Sequence, residues 1–139
     1  MSCLNAELNL SLPALEGTPA AARQAVRALP ALSGFPRAEE LELLVTETVT
    51  NAVRHPRPAG GNRIEMDARL SGRLVRVEVR DRGSLDRAPP LPAPGDRHAP
   101  GWGLLLIETV ADRWGIDADP STRVWFELDA ATASPPAGA

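Results

Sequence analysis

Apolar and polar residues alternate along residues 4–12, Leu-Asn-Ala-Glu-Leu-Asn-Leu-Ser-Leu. Successive strand side chains point to opposite faces, so this pattern predicts a half-buried β-strand. Thr18-Pro19 offers a capping hydroxyl followed by proline at a first helical position. It predicts a helix from Pro19 to about Leu32, stopped by Ser33-Gly34-Phe35-Pro36. The period then changes. Leu41, Leu44, Val45, Thr48, Val49 and Ala52 form an i, i+3, i+4, i+7, i+8 stripe, which predicts an amphipathic helix from about Arg37 to His55, ended by Pro56. Residues 57–62, Arg-Pro-Ala-Gly-Gly-Asn, are a turn by composition.

Two alternating runs follow, about 63–70 and 74–80, joined by Ser71-Gly72-Arg73. Ile64, Met66 and Ala68 alternate with Arg63, Glu65, Asp67 and Arg69, and Val75, Val77 and Val79 alternate with Arg76, Glu78 and Arg80. This is an antiparallel hairpin with one wet face. The proline-rich stretch 84–100 predicts a loop, Gly101–Asp112 a helix opening at a glycine, Trp114–Ile116 a short strand and Arg123–Leu128 a longer one. From Ala130 onward no core-forming residue remains, and the tail 130–139 is predicted to be disordered. The order β-α-α-β-β-loop-α-β-β implies an α+β fold: a two-layer α/β sandwich, with helices on one face of a mainly antiparallel sheet. It forms one domain, residues 1–129.

Composition narrows the function. The 139 residues suit a single domain with a real core. No apolar run reaches membrane-spanning length, and no basic-then-apolar leader opens the chain. Cys3 is the lone cysteine, which excludes an internal disulfide and a cysteine-based metal site. Together these predict a cytoplasmic protein with no membrane partner. The net charge of −3, with no long basic run, argues against direct nucleic-acid binding. All fifteen basic residues are arginine and none is lysine. A P-loop needs a lysine on the phosphates, and the protein-kinase fold needs a strand lysine paired with a helix glutamate, so both are excluded.

Three places carry candidate chemistry. Glu47 and Asn51 stand one helical turn apart at the edge of the apolar stripe. A carboxylate there can take a proton from a hydroxyl or water, and an amide oxygen suits a hard cation such as Mg²⁺. Asp81-Arg82-Gly83 ends a hydrophobic strand, where a carboxylate can accept from an exocyclic amine and a glycine permits close approach of a flat base. Gly101-Trp102-Gly103-Leu104 opens an apolar helix, whose free N–H groups and dipole favour phosphate. Taken singly, these are equally a solvated helix edge, an ordinary Asp/Gly turn and a flexible loop-to-helix junction.

Taken in order on matching elements, Glu47-x3-Asn51, Asp81-x-Gly83 and Gly101-x-Gly103-Leu104 resemble the GHKL ATP-binding (Bergerat-type) fold of histidine kinases, Hsp90, gyrase B and MutL. The resemblance spans about residues 5–128. It is nearest to the small bacterial anti-sigma factor serine kinases (the RsbW/SpoIIAB type), which Asn51-Ala-x-x-His55 and Ala111-Asp-Arg-Trp-Gly115 also fit. It implies ATP and Mg²⁺ as cofactors, Glu47 as general base and Asn51 as metal ligand. Asp81 would hold adenine with Gly83 beneath the base, Gly101, Gly103 and Leu104 would hold the phosphates, and Thr122 would support adenine. Arg54 and His55 would reach phosphate or water. The implied partners are a sigma factor or similar client and an anti-anti-sigma (STAS-type) antagonist phosphorylated on serine; members of this branch often form homodimers. The segment from about Ser84 to Ala99 would close over bound nucleotide. Two family glycines are replaced, by Ser84 and Ser121. These changes favour one alternative, a catalytically degenerate nucleotide-dependent binding module; a stand-alone histidine-kinase-like ATPase domain is a second.

Overall fold

The structure, a computed structural model, describes residues 5–54, 63–81, 102–117 and 122–132. Along the chain run β1 (Asn5–Pro13), α1 (Thr18–Ala28), α2 (Pro30–Ser33), α3 (Ala38–Arg54), β2 (Arg63–Ser71), β3 (Leu74–Asp81), α4 (Trp102–Val110), β4 (Arg113–Asp117) and β5 (Arg123–Asp129). The strands form one sheet in the order β1-β2-β3-β5-β4, each neighbouring pair antiparallel. Helices cover one face, so the α+β two-layer sandwich expected from the element order is the observed architecture.

Alternation decides which face is covered. Ile64, Met66 and Ala68 of β2, Val75, Val77 and Val79 of β3, and Val124, Phe126 and Leu128 of β5 are buried. They pack in one cluster with the stripe of α3 and with Leu104 and Ile107 of α4. Thr48 sits within that stripe at 1% exposure. Its hydroxyl donates to the Leu44 carbonyl of its own helix at 2.5 Å, which makes its burial tolerable.

The opposite face is charged. Arg80 reaches Asp67 at 2.8 Å and Glu65 at 3.6 Å, Arg76 reaches Glu127 at 2.9 Å, and Arg123 reaches Glu78 at 2.9 Å and also pairs with Asp117. Trp125 lies among them with the Arg76 guanidinium 4.2 Å above its ring. Its cross-strand partner is Gly115. A Cβ at that position would lie 2.6 Å from the indole nitrogen, so glycine is what lets the indole lie across β4. The β2–β3 hairpin closes through Gly72 at φ +64°, with Arg73 not at positive φ, the pattern of a two-residue II′ turn led by glycine.

Several boundaries differ from expectation. The helix predicted from Pro19 to Leu32 is two helices, broken at Leu29, whose φ/ψ of −91°/111° is extended. Pro30 causes this, because proline disfavours helical backbone in the residue before it. Thr18 is the first residue of α1 and Gly17 is its cap. The Thr18 hydroxyl donates to the Pro13 carbonyl and accepts from the Leu15 N–H, so it clasps the β1–α1 turn instead of capping the helix. Residues 130–132, expected in the tail, continue as a turn, with the Ala130 N–H on the Arg73 carbonyl at 2.8 Å. The rest of that tail, Cys3 and the expected closing segment 84–99 lie outside the described residues. No helix among the described residues is long and apolar enough to cross a membrane.

One buried arginine ties the helices to the sheet. The Arg37 side chain is 3% exposed. Its guanidinium binds both Glu40 carboxylate oxygens, at 2.9 and 3.0 Å, and Asp112 at 2.7 Å. It also donates to the Val110 carbonyl at 3.1 Å and to the Asp129 carbonyl at 3.2 Å. Asp112 in turn accepts the Asp129 N–H at 2.7 Å. Burial pushes the Asp112 carboxyl up, but the Asp129 N–H, Arg37 and Thr132 outweigh it and hold the group below the usual carboxylate range.

A carboxyl depressed in the folded state contributes stability above its unfolded pKa and loses that contribution as pH falls through its folded value. Asp112→Asn should therefore lower urea-measured stability near neutral pH by about 1–3 kcal/mol. The gap to the parent protein should stay constant above about pH 5 and close as the solution is acidified below about pH 4. A gap that persists unchanged into strong acid would mean the carboxylate charge is not what Asp112 contributes.

Candidate functional site

The end of β3, the start of β5 and the last turns of α3 meet at one end of the sheet. Thr48, Asn51 and Ala52 of α3, Val79 and Asp81 of β3, and Thr122 and Val124 line one narrow cleft. Its polar lining is four side chains: the hydroxyl of Thr48 and the amide of Asn51 from α3, the carboxylate of Asp81 from β3, and the hydroxyl of Thr122 just before β5. The apolar walls Ala52, Val79 and Val124 are the ends of the same periodic runs that build the core, so the cleft opens where the core stops.

Asp81 is the last residue of β3 and 4% exposed. Its backbone N–H donates to the Thr122 carbonyl at 3.0 Å, which holds the two side chains at adjacent points of the cleft. Thr122 is 2% exposed, and its hydroxyl has no hydrogen-bond partner among the described residues. Buried hydroxyls are ordinarily paired. Thr48 in the same cleft obeys this rule through Leu44, and Thr122 does not. The hydroxyl is therefore open to bonding by a group outside the described residues, a ligand atom included.

Asn51 lines the cleft, half-buried as its position at the stripe's edge requires. Glu47, one turn earlier on the same face of α3 as Asn51, is also half-buried but is not part of the cleft lining. Thus the residues split into a closed end (Asp81, Thr122) and a rim (Asn51, Glu47). Leu104, expected among the phosphate-holding residues, is fully buried in the core cluster. Its side chain seats α4 on that core. Gly103 is the second residue of α4, and Arg54 is the last residue of α3. His55, Gly83, Gly101 and the replaced positions Ser84 and Ser121 lie outside the described residues.

As it stands the cleft has room for about 10 Å³, but its polar groups are of the kinds an adenine ring can bond. A buried carboxylate accepts from an exocyclic amine, the hydroxyl of Thr122 can donate to or accept from a ring nitrogen or a water, and aliphatic walls suit the faces of a flat base. Among the described residues no group of three or more His, Cys, Asp and Glu side chains could hold a metal ion. A cation at Asn51 would therefore take few protein ligands, which is how Mg²⁺ is usually held when phosphates and water complete its shell.

Larger hollows lie elsewhere. One of about 480 Å³ is lined by Phe35, Pro36, Arg37, Ala38, Glu39, Glu40 and Val110. Its acidic side chains include one already committed to Arg37, and it holds none of the residues above.

No curated protein matches the chain. A model of the histidine kinase-like ATPase domain matches residues 12–127, from the end of β1 almost to the end of β5 and so across every element that lines the cleft. The chain belongs to the histidine kinase-like ATPase domain family.

Proposed function

We propose that this protein binds ATP with Mg²⁺ in the cleft and acts as a serine protein kinase of the anti-sigma type. It would hold a sigma factor or similar client and phosphorylate a serine on an STAS-type antagonist. The observation that carries the nucleotide part is the buried, unmatched Thr122 hydroxyl beside Asp81 at the closed end, with Asn51 opposite on α3. The serine specificity and the partners rest on the sequence resemblance.

In this reading Asp81 accepts the adenine amino group, and Thr122 completes the polar contact at the same end. Asn51 holds the metal through its side-chain oxygen. Bound Mg²⁺ supplies neutralisation of charge on the transferring phosphoryl group. Glu47 stands one turn from Asn51, so a hydroxyl brought to the rim lies near a carboxylate able to take its proton. Phosphoryl transfer depends mostly on positioning and electrostatics. A small domain without lysine can therefore perform it with arginine, backbone N–H groups and metal.

Thermal-shift titration with ATP and GTP in the presence of Mg²⁺ should show stabilisation by ATP only, because the 6-oxo group of guanine would face the Asp81 carboxylate. Equal stabilisation by both nucleotides would sink the assignment of the base end.

Thr122→Val should act with opposite signs on two measurements. Removing an unpaired buried hydroxyl should leave the nucleotide-free protein as stable or stabilise it by up to about 1 kcal/mol. Affinity for ATP should fall by about 1 kcal/mol, roughly fivefold in Kd. A loss of stability without nucleotide would show that the hydroxyl has an internal partner.

Glu47→Ala should slow phosphate transfer to the antagonist by about 10²–10⁴-fold while ATP affinity stays within about twofold. The product should survive acid treatment, as phosphoserine does and phosphohistidine does not. Normal transfer by the variant would remove Glu47 from the chemistry.

A further inference from the structure

We infer that Arg37 is a positioning residue for the phosphate end of the nucleotide site, acting through α4; this rests on the ATP reading above. The helix α4 has nine residues, about 13 Å at the ordinary rise. It begins at Trp102, next to the glycines expected to hold phosphate, and ends at Val110. It lies chiefly against α3 and meets the sheet at β4. Leu104 and Ile107, fully buried, keep it on the core. Such apolar contact resists separation but has little direction, and packed helices can slide along each other by an ångström or two.

Directional bonds at the far end remove that freedom. One Arg37 guanidinium donates to the Val110 carbonyl and to Asp112, just past the end of α4, and binds Glu40 in the first turn of α3 through two parallel bonds. A planar guanidinium gripping a carboxylate this way has its orientation fixed. The cation also sits where the C-terminal dipole of α4 is favourable to it. The same α3 carries Glu47 and Asn51. Pinning the axial position of α4 on α3 therefore sets the distance from the metal ligand and the base to the start of α4. Arg37 touches no part of the cleft. It acts at a distance because the nine-residue helix moves as one body, and an ångström of displacement at a reacting centre is costly.

The test is calorimetric titration of the full chain with ATP·Mg²⁺ and, separately, with adenosine, which has the base but no phosphate. Arg37→Gln should raise the Kd for ATP about tenfold or more and change that for adenosine by less than about twofold. General destabilisation would weaken both ligands in the same proportion. Asp112→Asn keeps an acceptor for the Asp129 N–H and should shift the ATP Kd the same way by a smaller factor; it carries the comparison if Arg37→Gln does not fold. Arg27→Gln, which breaks the exposed pair to Glu42, should leave both affinities unchanged. Equal change in the two ligands, or no change in either, overturns the role of Arg37 while leaving ATP binding intact. Wild-type protein that binds neither ligand removes the ATP reading and this inference with it.

Discussion

Burial of one stripe of α3 against the sheet is the constraint from which the remaining geometry follows. With Leu41, Leu44, Val45, Thr48, Val49 and Ala52 all turned inward, the helical period leaves Glu47 and Asn51 no place except the margin between core and solvent. A shift of the stripe by one residue would bury the carboxylate or turn the amide away from the cleft. The places of these two side chains are thus held by core packing, and need no dedicated scaffold of their own.

The sheet makes the matching contribution. Antiparallel pairing brings the end of β3 beside the start of β5, and the single backbone bond between Asp81 and Thr122 fixes the closed end of the cleft. Among the described residues the Thr122 hydroxyl goes unmatched there. Such local imperfection is typical of places where a fold serves something other than its own stability. The Arg37 cluster is the opposite case: a charge buried with nearly all its hydrogen-bonding capacity used, at the end of the molecule away from the cleft.

Much of this was legible in the sequence where the signal is local. The alternation at 63–70 and 74–80 marked both strands and their inward faces, and the stripe of α3 placed Glu47 and Asn51 correctly at its edge. The Leu29 break was written in Pro30 but masked by the helix-favouring alanines and arginines around it. Thr122 carried no local mark and entered only through family resemblance; its significance depends on what does not surround it, which no pattern of residue types encodes. Arg37 gave still less notice, reading merely as a helix start. Apart from Glu40, its partners lie at 110, 112 and 129, and contacts across such separations become visible only when the chain is folded. The fit of Trp125 over Gly115 escaped for the same reason, since it depends on register between strands.

The charged outer face of the sheet has a consequence for how the molecule meets others. Its arginines and carboxylates are interleaved and already joined across neighbouring strands. Charges so arranged cancel within a few ångströms, so the field above them fades quickly and draws neither cations nor anions from afar. A body settling on that face would also have to strip water from pairs that gain little by being covered. The face is, in electrostatic terms, a quiet wall.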